Sequence, residues 1–142
     1  MKKKVLAGVA MGFLLLGIAG CQTTGQPVNK GTSLTGNEIT EIFSGNTLEG
    51  KNHKHGRQFR QYCRPDGALS STSDDYGRRP DSDNGKWSVE GNLRCTQFNK
   101  WGEGKKWCKE VYRDGDTFRT FSKDSGKLSE TFSVKPGNPY NL

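Results

Sequence analysis

Residues 85–95 read Gly85-Lys86-Trp87-Ser88-Val89-Glu90-Gly91-Asn92-Leu93-Arg94-Cys95. Trp87 and Val89 alternate with Ser88 and Glu90, Gly91-Asn92 interrupts the run, and Leu93 and Cys95 then share a face. Period-two alternation on both sides of a glycine-bearing turn is the pattern of a β-hairpin, because successive side chains of an extended chain point to opposite faces. The same signal recurs outward from this stretch. Turn clusters stand at Pro65-Asp66-Gly67, Gly102-Glu103-Gly104, Asp114-Gly115-Asp116 and Asp124-Ser125-Gly126. Between them Leu128, Phe132 and Val134 alternate with Ser129, Thr131 and Ser133, and Phe59 and Cys63 share a face further upstream. The reading is a mainly β chain, an antiparallel meander or small up-and-down barrel of six to eight strands. The stretch Ser70–Asn84 is the longest without apolar alternation and reads as a loop holding at most a frayed strand.

One short helix precedes the strands. Thr35 and Glu38 form a T-x-x-E capping box, with Leu34 and Ile39 placed as its hydrophobic staple. Ile39, Ile42 and Phe43 fall on one face, and Gly45 follows as a left-handed stop. So short a helix is unstable alone and must lie against the sheet.

The chain of 142 residues carries a net charge of +7 and only 30% hydrophobic residues. The apolar core is therefore thin for a globular chain. The start is different in character: Lys2, Lys3 and Lys4 lead an uncharged run from Val5 that closes on Ala19-Gly20. That is the form of a secretory leader, and the run is too short and too rich in glycine for a spanning helix. Removing the leader takes three lysines with it and leaves the rest mildly basic, which does not fit a nucleic-acid binder. Residues 1–20 are thus read as a signal peptide, 21–33 as a Gly- and Pro-bearing flexible tether, and 34–142 as one small β domain.

The ending Leu16-Gly17-Ile18-Ala19-Gly20-Cys21 resembles the lipobox of bacterial lipoproteins. The resemblance implies that the Cys21 sulfur receives a diacylglycerol and that cleavage leaves Cys21 first. Several acyl chains hold a protein to a membrane where one does not. Gln22, in place of aspartate, implies sorting to the outer membrane of a Gram-negative cell, with the domain facing the periplasm.

Three cysteines remain: Cys63, Cys95 and Cys108. Export to an oxidising compartment favours a disulfide. Cys95 and Cys108 flank the turn at Trp101-Gly102-Glu103-Gly104 on successive strands and form the preferred pair. Cys63 bridged to either of them, or the two left as buried free thiols, are the competing arrangements. The run 34–50, Pro65-Asp66-Gly67, residues 85–95 and Cys108 with Val111 and Asp114-Gly115 together resemble a group of small exported bacterial domains of unknown function. That resemblance implies the fold and the cysteine pairing, and no chemistry.

Candidate contact residues fall into two groups. Lys51, Lys54, Arg57, Arg60 and Arg64 form a basic stretch interleaved with Phe59 and Tyr62, suited to an anionic envelope component. The plainer reading is a solvated strand face whose charges discourage edge pairing. Trp101 and Trp107 flank a turn carrying Lys100, Lys105 and Lys106, suited to a glycan or a protein partner, or simply to cross-strand packing. His53 and His55 have H-x-H spacing without a marked third ligand, so no metal is assigned. Asp81–Gly85 misses the register of a calcium loop. No catalytic residue and no cofactor signature is picked out. The expected function is a lipid-anchored envelope accessory protein, non-catalytic, binding a protein or an anionic or glycan component. The alternatives are a lipocalin-like carrier of a small apolar ligand and, behind it, a hydrolase.

Overall fold

A computed structural model describes residues 29–74 and 80–142. The leader, Cys21 and most of the tether lie outside them. The described chain runs β1 (Thr32–Ser33), α1 (Gly36–Phe43), β2 (Asn46–Asn52), β3 (Arg57–Cys63), β4 (Ala68–Asp74) and β5 (Asp81–Glu90). It continues β6 (Leu93–Phe98), a 3₁₀ turn (Trp101–Gly104), β7 (Lys106–Asp114), β8 (Thr117–Phe121) and β9 (Leu128–Lys135).

Strands β2 to β9 pair antiparallel in sequence order, and β2 pairs with β9, closing an eight-stranded up-and-down barrel. Closure removes the free edges that a meander of this kind would otherwise expose. The ninth strand, β1, lies against β7 through Thr32↔Arg113 and Ser33↔Tyr112, where β6 has already ended at Leu93↔Glu110. The fold class is as the alternation predicts.

The described residues 70–74 and 81–84 differ from expectation. Residues up to Asp74 belong to β4, and Asp81 onward to β5. The inward positions of these segments hold Ser71 and Asp83, so strands that bury polar groups left no apolar alternation to read. Their polarity is satisfied locally: Ser71 Oγ donates to Arg60 O at 3.1 Å, and Asp83 accepts several backbone N–H groups.

Helix α1 closes one end of the barrel. Its capping box is complete, with Thr35 N donating to Glu38 Oε2 at 2.7 Å and Glu38 N to Thr35 Oγ1 at 3.4 Å. Gly36 N donates to Asn92 Oδ1 at 2.9 Å, fastening the helix start to the β5–β6 turn. A side chain at Gly36 would run into the Gly91 carbonyl, so glycine is required there. Ile39 and Phe43 point into the barrel and are fully buried. The Phe43 ring meets Phe118 and Phe132 edge-on, each at 5.8 Å, and Phe118 stacks on Phe132 at 5.7 Å. The stacked aromatic part of the core therefore sits at the helix end, and buried Phe59 and Phe98 continue the apolar packing toward the other. At the opposite, open end lie the turns β2–β3, β6–β7 and β8–β9.

Candidate functional site

Beside the Phe43–Phe118–Phe132 aromatics the barrel interior also holds a polar layer. Arg94 on β6 is 6% exposed, and its Nη2 donates to Gln61 Oε1 on β3 at 2.6 Å. Its guanidinium lies 5.8 Å from the Phe43 ring centroid, directly over the core. Arg94 Nε is buried without a hydrogen-bond partner among the described residues. Beside it Glu130 on β9 accepts from Thr120 Oγ1 at 2.8 Å and faces Lys109 Nζ at 3.3 Å. Lys109 also donates to Ser129 Oγ at 2.8 Å. Burial pushes the Glu130 carboxyl up, but the charges of Lys109 and Arg94 outweigh it and hold the group below its ordinary value. Cys63, fully buried, has its thiol pushed up by burial, with Arg94 only partly offsetting this.

Sequence reasoning missed this layer, and the register explains how it forms. Glu90↔Leu93 closes the first hairpin, so Val89 stands opposite Arg94 and Trp87 opposite Thr96. Residues opposite one another in an antiparallel pair face the same side. Leu93 and Cys95 do share a face, but it is the outer one; Arg94, Thr96 and Phe98 face inward.

Cys95 and Cys108 are opposite one another in the β6–β7 ladder and joined by a disulfide; Cys63 is free. The residues of the basic stretch are not gathered on one surface. Lys54 sits in the β2–β3 turn and Arg57 opens β3 at the same rim. Arg60 faces outward, its Nε donating to Glu49 Oε1 at 2.9 Å with its guanidinium 4.1 Å from the Tyr140 ring centroid. Lys51 has the outward parity of Glu49, and Arg64 lies past β3 at the helix end. A seven-residue strand spans about 20 Å, so Lys54 and Arg64 serve opposite ends.

The two tryptophans lie at the open end. Trp101 packs on Phe98 with centroids 5.0 Å apart, and its Nε1 donates to Asp81 Oδ2 at 2.8 Å. Asp83 Oδ2 accepts the backbone N–H groups of Lys100 and Trp101, both at 2.8 Å, fixing this turn to β5. Burial raises the Asp83 carboxyl, but three backbone donors bring it below its ordinary value. Trp107 is 40% exposed and lies over Gly102, where any side chain would strike its ring.

His53 Nε2 lies 2.9 Å from Thr131 Oγ1. Among the described residues, the one His/Cys/Asp/Glu group compact enough for a metal is Glu90 with Cys95 and Cys108, whose sulfurs are bonded to each other. A groove of about 510 Å³ runs over the outer wall past Ala68, Ser88 and Gln97, and one of about 390 Å³ lies between Leu34, Ile42 and Arg113 at the helix end.

Comparison with protein families, with curated proteins and with solved structures finds no match.

Proposed function

We propose that this chain is a non-catalytic binding module of the bacterial envelope, tethered to the outer membrane by acylated Cys21, whose open end receives an anionic or glycan component. The observation that carries the reading is the distribution of charge between the two ends. The open end collects Lys54, Arg57, Lys100, Lys105, Lys123 and Lys127 with both Trp101 and Trp107, against the acids Asp74, Asp81, Glu103 and Asp124. Of these acids, Asp81 is engaged by Trp101 and Glu103 by Lys105. The helix end collects Glu38, Glu41, Asp66, Glu90, Asp114 and Asp116 against Arg64, Arg113 and Lys135, so the cationic excess lies at the open end. Such a rim attracts anions over a screening length, and flat aromatic rings suit sugar faces. The buried carboxylates Glu130 and Asp83 are engaged by protein donors, which supports a binding role over a hydrolytic one.

Co-sedimentation with isolated cell-wall sacculi and with vesicles containing anionic lipid tests the rim. Lys54→Glu with Arg57→Glu should abolish retention on whichever surface the protein binds; unchanged retention overturns the reading. Cys21→Ala should abolish labelling by a palmitate analogue and release the protein from membranes, and persistent labelling refutes the anchor. A lipocalin-like carrier is the second reading. A closed eight-stranded barrel is compatible with it, although Phe43, Phe118 and Phe132 fill the base. A lipid co-purifying at fixed stoichiometry by native mass spectrometry would shift the assignment to it.

A further inference from the structure

Cys95 and Cys108 face outward from the β6–β7 ladder, yet Cys95 is only 1% exposed. The register shows what lies over it. Ser88 stands opposite Cys95 on β5, so Glu90, two residues further on, faces the same outer side. Lys106 faces that side from β7, opposite Gln97 and two residues before Cys108. Glu90 and Lys106 are ion-paired, so their side chains meet across β6 at the level of Cys95. The Glu90 carboxylate and the two sulfurs lie within 4.8 Å of one another. The outer-wall groove past Ser88 and Gln97 reaches Cys95 and Lys106 and gives solvent a path to them.

From this geometry we infer that Cys95, Cys108 and Glu90 form a site for a divalent cation of the zinc class once the disulfide is reduced. The inference goes beyond the binding-module reading and needs neither the rim nor the anchor. A dithiol reductant gives two electrons and two protons to the S–S bond and leaves as its own disulfide, so each cysteine becomes a thiol. The ion then takes both sulfurs as thiolates and displaces the two protons, because the thiolate is the form that ligates. Two thiolates and a carboxylate are three of the four donors of a tetrahedral zinc, which stand about 3.5–4 Å apart, and water from the groove supplies the fourth. Sulfur donors favour such an ion over magnesium or calcium. The ladder, not the bridge, keeps the donors together: backbone pairing runs unbroken from Leu93↔Glu110 to Gln97↔Lys106, and Glu90↔Leu93 closes the hairpin beside it. Cys63 lies inside the barrel on β3 and takes no part. Lys106 works against the ion, since its ammonium holds the carboxylate that the metal needs.

The test uses the full chain with Cys21→Ser and Cys63→Ser, which leaves two thiols. It is titrated with zinc, and with cadmium for its ultraviolet thiolate-to-metal band, before and after treatment with a dithiol that is then removed. One ion per reduced chain and none per oxidised chain is expected, with two protons released for each ion at neutral pH. Glu90→Gln should weaken zinc binding roughly tenfold or more, and Lys106→Met should tighten it severalfold. Equal affinity in Glu90→Gln would overturn the site. Half an ion per chain would overturn it as well, because two chains would then share the metal through their cysteines alone. Amide exchange on the reduced chain supplies the remaining check. Protection retained along β6 and β7 is expected, and its loss would also overturn the site, since no ladder would then hold the donors together.

Discussion

Arg94 on β6 reaches through the barrel interior and donates from Nη2 to Gln61 Oε1 on β3 at 2.6 Å. The contact joins non-neighbouring strands and places a cation directly above the aromatic plug. A buried donor that loses its acceptor costs its full desolvation, whereas replacing both partners by apolar groups is far milder. Gln61→Leu should therefore destabilise the domain by about 2–3 kcal/mol, and Arg94→Met added to it should recover much of the loss. Urea midpoints of the wild type, both single variants and the double give the coupling directly. Strict additivity would show that the pair holds nothing together.

Glu130 links this layer to pH. Burial raises its carboxyl, but Lys109 and Arg94 together bring it below the ordinary 4.5. A carboxyl whose folded value is depressed stabilises the fold above its unfolded value, and that contribution fades as pH falls through the folded one. The wild type should thus lose stability more steeply than Glu130→Gln between about pH 5 and about pH 2. Glu38, Glu49 and Asp83 are also depressed and act equally in both proteins, so the difference between the two curves isolates Glu130. Parallel curves would mean that Lys109 and Arg94 do not stabilise its charge.

The cysteines divide by environment. The Cys95–Cys108 bridge spans 13 residues of sequence, and closing a loop of that length is worth about 3 kcal/mol. Replacing both with serine should lower stability by about that amount without disturbing the β6–β7 ladder seen in amide exchange. Cys63 is fully buried and its thiol is raised by burial, so it stays neutral and shielded at neutral pH. A thiol reagent should label it only as fast as the domain unfolds. Rapid labelling of the native protein would show that the interior opens.

How much of this was legible in the sequence depends on which side of the sheet carried the signal. Each turn marked by glycine and aspartate lies between two strands, although the strand after Pro65-Asp66-Gly67 shows no alternation, and the capping box at Thr35 and Glu38 starts the helix at Gly36. Alternation fails where the barrel buries polar groups. Ser71, Asp83 and Arg94 point inward, and hydropathy assigns each of them to solvent. The register held the missing information for Arg94. With Trp87 and Val89 inward, a two-residue turn at Gly91-Asn92 sends Arg94, Thr96 and Phe98 to the same side, whatever their polarity. The basic stretch takes a form its linear order does not show. Its five cations are spread over β2, β3 and the turns at the two ends of β3, so linear clustering becomes two rims and an outer face.

The helix offers a last comparison, because its two attachments differ in kind. At its start, Thr35 caps the first turn, a contact worth about 1 kcal/mol when replaced by alanine. At its end, Phe43 has no exposed surface and meets Phe118 and Phe132, each at 5.8 Å. Removing a buried phenylalanine leaves a cavity and costs about 3–5 kcal/mol. Phe43→Ala should therefore destabilise the whole barrel several times more than Thr35→Ala, and should leave Arg94 above a void. If the helix is a plug, Phe43→Ala also exposes the Phe118–Phe132 stack to solvent, and amides of β8 and β9 lose protection along with those of α1. If it is only an attached cap, protection falls in α1 alone while the barrel strands keep theirs. Amide exchange on the two variants separates these outcomes, and the first is the one the packing of Phe43 requires.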